Sequence, residues 1–195
     1  MINKTVLFLL LFLFIASLTY AQKGSWYVGG QLGFNSRTES NTGFADVTTT
    51  TWSVAPEVGT FLQKDLQLGF AVNLGGSNST NTSETTFSPV LYLRKFYPMG
   101  DKFSLFTGIV GNFTAGNSNT TGQSGTLSGW GLNLSLGAAY AVSKTFTVVG
   151  QYGLFGYSYE SIKYDSAKNS TSNFGLNVNS LGPVFNVGIY WTFKE

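Results

Sequence analysis

Trp130-Gly131-Leu132-Asn133-Leu134-Ser135-Leu136-Gly137-Ala138-Ala139-Tyr140 decides the fold. On an extended chain, Trp130, Leu132, Leu134, Leu136 and Tyr140 share one face, and Gly131, Asn133, Ser135, Gly137 and Ala139 share the other. A period of two is the mark of a strand. The polar face tells which kind of sheet this is. A soluble antiparallel sheet turns a face rich in Lys, Glu and Thr to water and packs its large apolar residues inward. Here the polar face is small and uncharged. Small polar residues suit a narrow lumen, and bulky apolar ones suit lipid.

The same pattern recurs outward from this stretch. Ser25–Asn35 sets Trp26, Val28, Leu32 and Phe34 against Tyr27, Gly29, Gln31 and Gly33. Leu66–Gly75 sets Leu66, Leu68, Phe70, Val72 and Leu74 against Gln67, Gly69, Ala71 and Asn73. Eight such strands are predicted, near 25–35, 51–62, 66–75, 86–97, 103–114, 128–141, 145–157 and 181–193, and no segment carries a helical period. Lipid satisfies no backbone hydrogen bond, so a sheet within it must close on itself. The expected fold is all-β: an eight-stranded antiparallel up-and-down transmembrane β-barrel whose lumen is filled by side chains.

The connections fit that topology. Short turns at Gln63-Lys64-Asp65, Pro98–Lys102 and Ser143-Lys144 alternate with polar stretches at 36–50, 76–85, 115–126 and 158–180. Short periplasmic turns and long extracellular loops are the outer-membrane arrangement, and both termini are then periplasmic. The long stretches are rich in Asn, Ser, Thr and Gly and are expected to be mobile, hydrated loops. Each short turn carries a lysine that can snorkel to headgroups, and Trp26, Trp52, Trp130 and Trp191 lie near strand ends, as interfacial girdles require.

Composition narrows the function. The 195 residues include no cysteine and no histidine, only 10% are charged, and the net charge is +2. Disulfides, thiolate nucleophiles and imidazole bases are excluded, and zinc and most transition metals lack their usual ligands. A charge of that size gives no case for a nucleic-acid partner. Met1 to Ala21 is expected to be a cleaved signal peptide: Lys4 precedes the apolar run Val6–Leu18, and Thr19-Tyr20-Ala21 has the small-x-small form. The run is too short for a spanning helix, and residues 22–195 are expected to form the barrel domain.

Most charged residues fall in loops, turns or tails. Glu57 and Arg94 stand out among those within predicted strands. Alternation places Glu57 with Ser53, Ala55 and Gly59, and Arg94 with Ser88, Tyr92 and Phe96, so both face inward. A lumen charge pair is expected, joined by Gln67, Tyr92 or Gln151 and acting first of all as a plug, with a gate or proton-linked site as the less favoured role. One carboxylate without a base or metal is not a catalytic set. Glu39, Asp46, Glu84, Glu160 and Asp165 read as scattered loop acids. Pro56, Pro89 and Pro183 fall inside predicted strands, although proline donates no ladder bond, and are expected at bulges or the outer rim.

Asn186-Val187-Gly188-Ile189-Tyr190-Trp191-Thr192-Phe193 has the form polar, any, Gly, two of any, hydrophobic, any, hydrophobic, and Lys194 and Glu195 follow it. With Pro56–Leu62, this ending resembles the small bacterial outer-membrane β-barrel family that includes the OmpA barrel, OmpX and OmpW. The resemblance covers the whole mature chain. It implies that Asn186, Gly188, Trp191 and Phe193 form an assembly signal read by the barrel-assembly machinery. It also implies a monomer in outer-membrane lipid, without cofactor, metal or catalysis. The expected role is structural, or surface interaction through the outer loops. The alternative is porin-like transport of small molecules, hydrophobic ones included; a secreted lipocalin-like carrier ranks third.

Overall fold

The computed structural model describes residues 24–40, 46–120, 123–164, 167–176 and 186–193. They form β1 (Trp26–Glu39), β2 (Val47–Gln63), β3 (Leu66–Asn78), β4 (Thr82–Pro98), β5 (Phe103–Thr120), β6 (Gln123–Ala141), β7 (Phe146–Lys163), β8 (Lys168–Leu176) and β9 (Asn186–Phe193). β1 to β7 pair in chain order, and β9 lies between β7 and β1, so a ring of eight closes. Every pairing is antiparallel. The expected signal peptide, Pro183, Lys194 and Glu195 lie outside the described residues.

β8 is a ninth strand beside the ring of eight. It lies in a stretch read as loop, and it pairs with Phe155–Lys163, whereas β9 pairs with Phe146–Gln151 of the same strand. The other long stretches are also corrected, from mobile loops to hairpin extensions. β5 and β6 run 18 and 19 residues and stay paired as far as Thr120 and Gln123. A tilted strand crosses a bilayer in about 9–11 residues. Hydropathy alternation stops where the lipid stops, but the hydrogen-bond ladder does not. Past that line both faces are polar, so the period of two vanishes from a strand that continues, and threonine still favours it.

The apolar belt marks that line. Going out along the strands, its last large outward residues are Phe34, Trp52, Leu74, Phe87, Phe113 and Trp130, all exposed on the outer wall. At the short-turn end it finishes with Trp26, Tyr97, Phe103, Tyr140, Trp191 and Phe193, also exposed. Two tryptophans thus stand at each border. Trp130 packs against Tyr157 at 5.0 Å with the rings tilted by 40°, and Trp191 meets Phe146 edge-on at 6.2 Å. Amphipathic rings favour such interfaces.

Pro56 and Pro89 are accommodated without bulges. Pro56 pairs with Gly30 on one side, while the β2–β3 ladder skips from Val54↔Leu74 to Glu57↔Ala71. Pro89 pairs with Val72, while the β4–β5 ladder skips from Phe87↔Ala115 to Val90↔Asn112. Each skip preserves the register, because a strand residue directs its N–H to one neighbour only. The two register shifts lie elsewhere, between Phe61 and Gln63 and beside Leu134 and Ser135. Arginine replacement tests the belt. Leu91→Arg, outward within it, is expected to cost roughly 2–4 kcal/mol, and Ser83→Arg, outward beyond it, about 0–1. Urea unfolding in lipid vesicles measures both, and equal costs would show the belt to be misplaced.

Candidate functional site

Closure creates a lumen, and the lumen faces of the strands must fill it. Inward parity brings Tyr27 and Gln31 from β1, Glu57 from β2, Gln67 from β3, Tyr92 and Arg94 from β4, Gln151 from β7 and Tyr190 from β9. All are buried; Glu57 is 5% exposed and Arg94 1%. The expected pair does meet, with Arg94 Nη1 3.6 Å from Glu57 Oε2. Their direct contact is the loosest part of the arrangement.

The tighter bonds form a closed ring. Gln31 Nε2 donates to Glu57 Oε1. Gln151 Nε2 donates to Gln31 Oε1 at 3.2 Å, and Arg94 Nη2 donates to Gln151 Oε1 at 2.8 Å. Arg94 Nη1 donates to Tyr190 Oη at 2.8 Å, and Tyr190 Oη donates to Glu57 Oε2 at 2.7 Å. Tyr92 Oη also donates to Glu57 Oε2, at 2.7 Å. Its one proton is thereby used, so the 2.5 Å contact with Tyr27 Oη has Tyr27 as donor. Gln67 Oε1 accepts from Arg94 Nη1 at 3.3 Å. The guanidinium lies over the Tyr92 ring, 3.8 Å from its centroid.

An aromatic layer lies beside this ring on the short-turn side. Phe61, Phe96 and Phe106 follow one another at 6.0 and 5.2 Å between centroids, and Tyr27 joins at 6.0 Å from Phe61. Large rings fit because glycines face them. Tyr27 pairs with Gly59, Tyr190 with Gly29, Tyr92 with Gly69 and Phe106 with Gly137. A Cβ on any of these four glycines would collide with an aromatic ring or its hydroxyl.

The lumen is therefore divided. A vestibule of about 310 Å³ at the short-turn end is lined in part by Tyr27, Phe61 and Phe96. A vestibule of about 370 Å³ at the long-loop end is lined in part by Asn73, Ser88 and Asn112. Between them, the cavity against Glu57 and Arg94 measures about 20 Å³. That is room for about one water.

Glu57 and Arg94 both face the lumen and lie together, and Gln67, Tyr92 and Gln151 bond to one or the other. Tyr190 was missed. It occupies a position of the final strand where the assembly pattern tolerates any residue, and only its shared parity with Gly188 signals that it faces inward. Gly188 is buried opposite Gln31 of the ring, whereas Trp191 and Phe193 are exposed on the outer wall, away from the lumen pair; Asn186 pairs through its backbone with Gln151. Glu84 and Glu160, read as scattered loop acids, lie in β4 and β7 and line the long-loop vestibule together.

A closed ring of strands, an apolar outer belt and a filled polar lumen define a small transmembrane β-barrel. The model of the outer membrane protein beta-barrel domain matches residues 5–179, and the chain belongs to that family. Membership places it in the bacterial outer membrane. Among solved structures, outer membrane protein OprG from Pseudomonas aeruginosa is similar, with TM-score 0.55 and 14% identity over 88% of this chain and 97% of that one. Neisserial surface protein A is similar too, with TM-score 0.53 and 18% identity over 86% of this chain and 97% of that one. At such identities the likeness is one of fold. No curated protein sequence matches the chain significantly.

The buried pair gives a stability test. Glu57→Gln leaves a buried guanidinium without its counter-charge and is expected to cost about 3–5 kcal/mol, as is Arg94→Met. The double variant is expected to lose less than the sum, with a coupling of about 0.5–3 kcal/mol. Equilibrium unfolding of the refolded barrels measures all three, and strict additivity would mean that the two residues act separately.

Proposed function

We propose that this chain is a sealed, non-enzymatic barrel that acts through its long-loop end, in surface contact or in stabilising the envelope. The observation that carries the reading is the hydrogen-bonded ring of Glu57, Gln31, Gln151, Arg94 and Tyr190, closed across the lumen beside the aromatic layer. A conducting path would have to break both. Catalysis finds little to use, because Glu57 has hydrogen-bond donors on both oxygens and the chain has no histidine or cysteine.

In this reading the short turns and both termini face the periplasm, and the hairpin extensions project outside the cell. The name of Neisserial surface protein A is in keeping with a surface role. The chain enters the envelope with a signal peptide cut after Ala21. The barrel-assembly machinery reads Asn186, Gly188, Trp191 and Phe193, and the product is a monomer in outer-membrane lipid with residues 22–195 as one domain. Rigid staves carrying variable ends suit binding by loops and hairpins.

Planar-bilayer recording of the refolded protein is the test. The native barrel is expected to be silent, and Glu57→Gln and Arg94→Ala to show intermittent conductance as the ring loosens. Steady currents from the native barrel would overturn the sealed reading and favour porin-like transport.

A further inference from the structure

The long-loop vestibule has a floor, a wall and a consistent chemistry. Its floor is the sealed ring described above. Its wall includes Glu84, Glu160, Asn73, Asn112, Ser88 and Thr114, and no lysine or arginine is among the described residues that line it. Neither glutamate makes an ion pair among the described residues. Glu84 Oε1 accepts a hydrogen bond from Ser118 at 3.0 Å, which leaves its charge uncompensated.

Asn112 supplies a second, independent observation. It is 6% exposed, and its Nδ2 donates to Thr114 Oγ1 at 3.2 Å. Its Oδ1 has no hydrogen-bond partner, and neither has Asn73 Oδ1. Both residues line the vestibule. Buried polar atoms left without a partner are uncommon and each calls for a cause. Here both orphans are acceptors, and they lie below two uncompensated carboxylates. The missing complement is therefore rich in donors and positively charged.

Size decides which cation. Calcium takes about 6–8 oxygens at roughly 2.3–2.6 Å, a compact cage. The vestibule holds about 370 Å³, and the described residues contain no cluster of three or more acidic groups that could hold a metal ion. That volume falls in the range of organic-ligand pockets, roughly 300–1,000 Å³.

We propose that the long-loop vestibule is a binding site for a small organic polyamine, whose ammonium groups pair with Glu84 and Glu160 and donate to Asn112 and Asn73. The site does not depend on what the hairpin ends touch. Both carboxylates stand beyond the apolar belt, where a charged ligand reaches them from water. Burial, together with the charge of Glu84, raises the pKa of Glu160 above the ordinary carboxylate value, so the two acids sense each other and a cation between them relieves the repulsion.

Calorimetric titration of the full chain in detergent, with spermidine as the probe and calcium chloride in parallel, tests the site. Folding is checked by the different gel mobility of heated and unheated barrels. Saturable spermidine binding is expected, weakened at least ten-fold by Glu84→Gln with Glu160→Gln, and weakened also by Asn112→Ala, which alters no charge. Absence of saturable heat, heat that the variants leave unchanged, or calcium binding at these residues without spermidine binding would each overturn the proposal. So would a loss confined to the glutamate variants, since a diffuse negative field needs no seated ligand.

Discussion

The structure depends on one constraint: lipid offers no partner to a backbone N–H or C=O. A sheet that crosses it cannot keep an edge, so β9 must return to β1 and β6 must meet β7. Closure by eight strands fixes a narrow lumen, and the lumen must then be filled. The outer wall is free to be apolar because its solvent is apolar. The inner wall has to match side chain against side chain, and the ring around Glu57 and Arg94 is the result. A lone charge there would cost several kcal/mol. The pair is tolerable because tyrosines and glutamines bond both carboxylate oxygens of Glu57 and both terminal nitrogens of Arg94, which leaves only Arg94 Nε without a partner.

Lumen packing follows the same economy of space. Tyr27, Tyr92, Phe106 and Tyr190 each face a glycine on the neighbouring strand. The glycines give up packing of their own and provide the volume into which a ring can lie. An aromatic opposite a glycine across a ladder restores contact that the glycine lacks. The small inward residues that make the sequence look like an empty channel are thus half of a filled one.

Much of this is legible in the sequence. Period-two hydropathy fixed the belt, and the uncharged small face told lumen from water. Parity sent Glu57 and Arg94 inward. What parity lacks is depth. Glu57 and Tyr190 are 133 residues apart in sequence, and only the stagger of the closed sheet sets them at one level. The hairpin extensions were hidden for a different reason: outside lipid both faces of a strand become polar, and Thr-Ser-Asn sequence then reads as loop. The same blindness left Glu84 and Glu160 as scattered loop acids. Pro56 and Pro89 looked like breakers because sequence does not say towards which neighbour a strand residue points its N–H.

Charge along the lumen records the depth of the bilayer. Among the described residues, the inward charges within the belt are the paired Glu57 and Arg94. Charge without an ion pair appears at the two mouths: Glu84 and Glu160 past Phe87 and Trp130 at the long-loop end, and Lys64, Asp101 and Lys102 at the short turns. The dielectric around the barrel explains the division, since an ion surrounded by hydrocarbon must be matched within the protein and an ion at a hydrated mouth need not be. The strands run on beyond the lipid for several residues, and this extension carries the lumen from a closely packed floor to an open, acceptor-lined mouth. The two vestibules consequently differ in kind. The short-turn one borders the aromatic layer. The long-loop one holds uncompensated negative charge above unpartnered amide oxygens. A barrel filled in the middle therefore still presents an acidic cup at one end.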